Sequence, residues 1–270
     1  MRSNRRRRFL GRLLALASAP PLAASAARAA PRPASPAAKP TPAAALRVVA
    51  LTERVLKLHG QMGVGILAPR ARRGLGPALV DLAAALHALG TPPPPSELHE
   101  RVAILAILVD QFRPIALQPP GRDRARALAE RAEEIEWEAQ RIAALLEGAG
   151  GGPRDAAAAA EEAAGNAERI ARLLVWQRWR IAGASDAKRL SAAKTALQAA
   201  MDRLRGAPHA GAIDAELQVA ENQVAFLFAA AYRLDAGEAG EREIEYAVKA
   251  ADNARESLER LGALYARGAG

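Results

Sequence analysis

Leu75, Leu79, Leu82, Leu86 and Leu89 recur at intervals of three and four, which lines them up along one stripe of a helix. Leu190, Ala193, Leu197, Ala200, Met201 and Leu204 repeat that stripe later in the chain. Between such periodic stretches fall the residues that stop helices: Pro69, Gly90 with Pro92 to Pro95, Pro119-Pro120-Gly121, Gly148 to Pro153, Gly183, Gly206 with Pro208, and Gly237 with Gly240. Eight helices are predicted, over 46–67, 73–89, 96–117, 122–147, 156–182, 186–205, 212–234 and 240–266. No alternating pattern of the kind a strand needs is present. Short connections between helices of similar length favour antiparallel neighbours, so the predicted fold class is all-α, with tandem up-and-down four-helix bundles.

The pattern also repeats as a whole. Shifting the chain by 115 positions sets Glu53-Arg54-Val55-Leu56-Lys57-Leu58 against Glu168-Arg169-Ile170-Ala171-Arg172-Leu173 and pairs Ile66 with Ile181, Leu82 with Leu197 and Pro93 with Pro208, without a gap. A helical repeat over 46–147 and a second over 157–267 follow, and the run Gly148-Ala149-Gly150-Gly151-Gly152-Pro153 is the boundary between them. Periodicity leaves open whether the halves stand apart or share one body, since both arrangements bury the same stripes. Val102 to Val109 (VAILAILV) is the most apolar run; two helical turns are too short to span a bilayer, and the run reads as a helix buried on all sides or as a dimer interface.

The first residues have a different character. Arg5-Arg6-Arg7-Arg8-Phe9-Leu10 matches the twin-arginine export pattern, with Arg6 and Arg7 as the pair and Phe9 and Leu10 behind them. A weakly apolar stretch, Leu13 to Ala24, and small residues suited to cleavage follow, so residues 1–30 are expected to be a removable signal peptide and the mature chain periplasmic or secreted. Pro31 to Ala45 is too poor in large apolar side chains to bury anything and is expected to be a disordered linker.

That leader changes the meaning of the charge. The formal +9 falls to +2 once residues 1–30, with seven arginines and no acid, are set aside, so the basic balance does not argue for nucleic acid. With no cysteine there is no disulfide and no thiolate metal site. His59, His87, His99 and His209 make no metal-binding pair on one helix face, and no phosphate loop, dinucleotide fingerprint or nucleophile elbow occurs. No cofactor, no metal and no enzymatic activity are therefore expected. The acidic pairs Glu133-Glu134 and Glu161-Glu162 read as solvated helix faces.

The constellation that opens each half is more specific. Arg54 and Lys57 lie one turn apart, and Arg169, Arg172, Trp176, Trp179 and Arg180 follow helical spacing in the second copy. Guanidinium groups beside an aromatic wall suit a small oxyanion, so Arg54, Lys57, Arg169, Arg172 and Trp176 are the candidate ligand-binding residues. The competing reading makes Trp176 and Trp179 core anchors with arginine stems packed over them.

These helices resemble the N-terminal sensor-type domain of type IV pilus methyl-accepting chemotaxis transducers, whose repeated signature runs approximately A-G-R-Q-R-M-L-S-Q-R-M. Ala50, Arg54, Val55 and Leu56 match its alanine, second arginine, methionine and leucine, and Ala164-Gly165 matches its opening. Arg169 and Arg172 fall out of register, so the resemblance carries over Arg54 alone. It implies an exported, non-enzymatic helical sensing or interaction protein, distantly similar to nitrate and nitrite sensor domains, acting through a small anion or other small molecule, a protein partner or a homodimer. Two alternatives remain: a periplasmic small-oxyanion binding protein, and an accessory subunit of a redox complex exported by the twin-arginine route.

Overall fold

The computed structural model describes residues 40–90, 96–148, 156–181, 183, 185–208, 211–235 and 240–268, which all belong to one compact unit. The expected leader, including Arg6, Arg7, Phe9 and Leu10, and the glycine run at 149–152 lie outside the described residues. Among the described residues eight helices follow in order: α1 (Pro42–Val64), α2 (Ala68–Leu89), α3 (Ser96–Ala116), α4 (Arg122–Gly148), α5 (Ala156–Trp179), α6 (Asp186–Gly206), α7 (Ala212–Asp235) and α8 (Glu241–Gly268). No strand occurs among the described residues, and no helix there is long and apolar enough to cross a membrane.

Local chemistry sets the ends. α1 begins at Pro42, inside the stretch expected to be a linker. Thr41 caps it, its Oγ1 accepting from the Ala44 amide at 3.3 Å, and proline suits the first helical position because its missing N–H would have had no partner there. α2 likewise starts at Ala68, with Pro69 in its first turn rather than ahead of it. α5 stops at Trp179, short of the expected end. Arg180 turns left-handed (φ 56°), and the Ile181 amide reaches back to the Trp176 carbonyl at 3.2 Å, closing the last turn while Ile181 packs inward.

The leucine stripe of α2 and the whole predicted stripe of α6 are buried, except that Leu86 is only half-buried. The run Val102 to Val109 is not buried on all sides. Val102, Leu105 and Val109 face the core with Phe112, but Ile104 and Ile107 are 42% and 57% exposed, because α3 packs chiefly on α4 and turns its other face outward. On α7, Phe228 is half-buried and Phe226 is exposed.

α1 and α5 form the most extensive interface and run in the same direction, since Arg47, Ala50, Glu53, Gly60 and Gly63 meet Glu161, Gly165, Arg169, Trp176 and Trp179 in ascending order. A Cβ on Gly165 would lie 3.4 Å from the Cα of Ala50, the residue 115 positions earlier, so equivalent residues of the two halves face each other across the seam. The remaining helices are arranged alike on both sides: α2 and α4 pack on α1 and α3 on α4, while α6 and α8 pack on α5 and α7 on α8. The buried positions agree with that correspondence. Val102, Leu105, Val109, Phe112 and Ala116 of α3 are matched by Leu217, Ala220, Val224, Leu227 and Ala231 of α7 at the same offset of 115. In α4 and α8 the offset is 119, Ala125, Leu128, Ala132 and Ile135 answering to Ile244, Ala247, Ala251 and Ala254, because α7 runs about one turn further than α3. The halves share one core through the α1–α5 seam.

Candidate functional site

Charged side chains inside a helical bundle must find partners or lose their charge, since burying an isolated ion costs far more than a bundle's net stability. The α1–α5 seam solves this with crossed pairs. Glu53 on α1 accepts from Arg172 Nε at 2.6 Å and from Arg169 Nε at 2.9 Å, and Glu168 on α5 lies 2.5 Å from Lys57 Nζ. Shifted by 115, Glu53 with Arg172 becomes Glu168 with Lys57, so one ion pair is the image of the other. Burial alone would raise the Glu53 carboxyl, but Arg172 and Arg169 outweigh it and hold the group below the usual carboxylate range.

The two sides of the seam have different surroundings. On the α8 side Lys57 and Glu168 are wholly buried. Lys57 Nζ also lies 2.5 Å from Asp252 Oδ1, Arg70 reaches Asp252 Oδ2 from α2 at 3.1 Å, and Arg255 Nε stands 3.2 Å from Glu168 Oε1. Of the two carboxylates that share Lys57, Glu168 is held high by its burial and by the neighbouring Asp252, whereas in Asp252 the pull of Lys57 and Arg70 overcomes burial and holds it low. The Glu168 carboxylate thus has the Lys57 ammonium and the Arg255 guanidinium both within ion-pair reach.

On the α4 side the seam is open. α4 and α6 flank it without packing on one another, and a cavity of about 370 Å³ lies between them, bordered by an adjoining one of about 330 Å³ along α4. Glu53, Asn166, Arg169 and Arg172 form the floor; Glu133 and Glu136 project from α4, and Arg189 from α6. Arg169 Nη2 bridges to Glu136 Oε1 at 2.7 Å, and Arg189 Nη2 to Glu133 Oε1 at 2.6 Å. Burial would lower the Arg169 guanidinium, but Glu53 and Glu136 raise it, so its charge is secure. Alanines 129, 132, 192, 193 and 196 line the rest. The same alignment places Val248 opposite Ala129 and Leu51 opposite Asn166, which is part of why the α8 side is filled.

The five sequence-predicted site residues do not converge. Arg169 and Arg172 line the cavity. Arg54 points to Asp81 on α2 at 3.4 Å, and Lys57 is sealed into the opposite network. Trp176 is a buried core anchor whose ring carries the Arg172 guanidinium at 4.7 Å, and Trp179 packs half-buried nearby over Gly63. Sequence reasoning missed Glu53, Glu133, Glu136, Asn166 and Arg189. Glu161 is another correction: it is buried and pairs with Arg47 at 3.1 Å rather than lying on a solvated face, because the parallel approach of α1 draws that face of α5 inside.

His59 is the other buried titratable group near the seam, 6.3 Å from the Trp179 ring. Neither ring nitrogen has a hydrogen-bond partner among the described residues, and burial, aided by Arg124, pushes the imidazole down to about 4. It therefore stays neutral at physiological pH. No cluster among the described residues could hold a metal ion. The geometry thus defines an all-helical protein with a charged, alanine-walled cavity on one side of a pseudo-symmetric seam. The chain matches no protein-family model, no curated protein and no solved structure with which it was compared.

Proposed function

We propose that this is an exported, non-enzymatic binding module that takes a small polar ligand in the cavity between α4 and α6, in keeping with its resemblance to helical sensor domains of pilus-type chemotaxis transducers. One observation carries the reading: three guanidinium groups and three carboxylates converge on an open space of about 370 Å³, while Lys57 and Glu168, the counterparts of Arg172 and Glu53 on the other side of the seam, are wholly buried. That volume falls in the range of about 300–1,000 Å³ common for small-molecule sites. Export rests on Arg6-Arg7 with Phe9-Leu10 and the leader behind them. Of the five residues expected to bind a ligand, this reading keeps Arg169 and Arg172, which share the cavity, and sets aside Arg54, Lys57 and Trp176, which do not line it.

A thermal-denaturation screen against amino acids, small carboxylates and inorganic oxyanions tests this. A ligand at 100 times its dissociation constant adds about 2.7 kcal/mol of stability, a readily visible shift. Ala196→Phe, which places a ring in the cavity wall, should abolish the shift without touching an ion pair. If no small polar compound shifts the transition, the cavity is not a ligand site and the proposal fails.

A further inference from the structure

We propose that the α4–α6 cavity recognises a small zwitterion with a compact apolar side chain, its carboxylate on Arg172 and its ammonium between Glu133 and Glu136. The assignment rests on the binding role proposed above and adds the class of ligand.

The carboxylate position comes from Arg172. It is only 5% exposed, it lines the cavity, and it engages Glu53 through Nε alone. Nη1 and Nη2 make no hydrogen bond with any described residue, and neither is a sealed, unpartnered atom. A buried guanidinium with its outer edge unused presents the fork that a carboxylate fits side on. Stacking on Trp176 fixes the plane of that fork before any ligand arrives.

The ammonium position comes from α4. Glu133 and Glu136 each engage a protein cation through Oε1 only, which leaves both Oε2 atoms as acceptors on the cavity side of the helix. Asn166 spends its amide nitrogen on the Glu162 carbonyl at 2.9 Å, so its side-chain oxygen is a third acceptor at the cavity floor. Charge balance selects against a simple anion. Glu53, Glu133 and Glu136 already cancel Arg169, Arg172 and Arg189, and an added anion would leave a part-buried site with excess negative charge, whereas a zwitterion keeps it neutral. The alanine walls and Leu56 leave apolar room for a small side chain.

Titration calorimetry on the full chain with alanine, valine, proline, N-acetylalanine, alaninamide, acetate and nitrate decides it. The expected result is binding of the free amino acids and a loss of about tenfold or more for the acetylated and amidated forms, each lacking one charged contact. Glu133→Gln, at a half-exposed side chain, should weaken amino-acid binding by a similar factor while leaving the fold intact, and so complements Arg172→Gln, which disturbs the buried pair with Glu53. Binding of acetate or nitrate in preference to the amino acids would overturn the zwitterion assignment and leave the binding role standing. No heat with any of these compounds would overturn both.

Discussion

At the scale of single residues, two positions hold strain that a substitution can release. Arg180 sits at φ 56°, where a Cβ is crowded, yet the turn it makes is what ends α5. Arg180→Gly is expected to stabilise the protein by about 0.5–1 kcal/mol in urea denaturation, the strain relieved exceeding the extra freedom glycine gives the unfolded chain. Glu161 is pushed up to about 7 by burial, which Arg47 only partly offsets. Its folded pKa exceeds its unfolded value, so the proton favours the folded state: the contribution is complete below about pH 4.5 and is lost as pH rises towards 7. Glu161→Gln should therefore match the wild type at pH 4 and exceed it by up to about 3 kcal/mol at pH 8. A melting temperature difference that does not grow with pH would show that Glu161 is not the titrating group. Burial of this kind was not legible in the sequence, because hydropathy reads a charge as solvent-facing. Lys57 finds Asp252 195 positions later, and only the folded chain brings such partners together.

At the scale of elements, the helices themselves were legible. Periodicity located all eight and named every buried position of α6, since a stripe that must be covered is written as spacing. The ends shifted where capping chemistry prevailed over composition, at Thr41-Pro42 and at Arg180. Reading Val102 to Val109 as fully buried overweighted apolarity, because an outer helix with a single main neighbour keeps Ile104 and Ile107 exposed. Of the α1–α5 seam the sequence showed only the repeat, Glu53 to Leu58 set against Glu168 to Leu173 at an offset of 115, and not that the two segments meet. That the pairs cross between helices required the parallel packing. Gly165→Val tests the closeness of the seam: with a Cβ already 3.4 Å from the Ala50 backbone, the added methyls should cost about 1–3 kcal/mol and loosen both ion-pair networks. A variant as stable as the wild type would mean that the helices separate freely there.

At the scale of the whole molecule, the sealed network ties α1, α5 and α8 together through one ammonium group. Lys57→Met leaves Glu168 and Asp252 without it and should cost about 3–5 kcal/mol, the penalty of breaking a buried pair from one side. Adding Glu168→Gln should restore a substantial part, because the stranded charge is then gone; a double variant no better than the single would assign the loss to packing. Two separate copies of one half, meeting along a common first helix, would be obliged to carry identical sides, and any change that filled one would fill the other. Joining the halves in a single polypeptide removes that obligation: Arg172 and Lys57, though they answer to one another, can be inherited independently, so one side is free to become a keystone while the other keeps a vacancy.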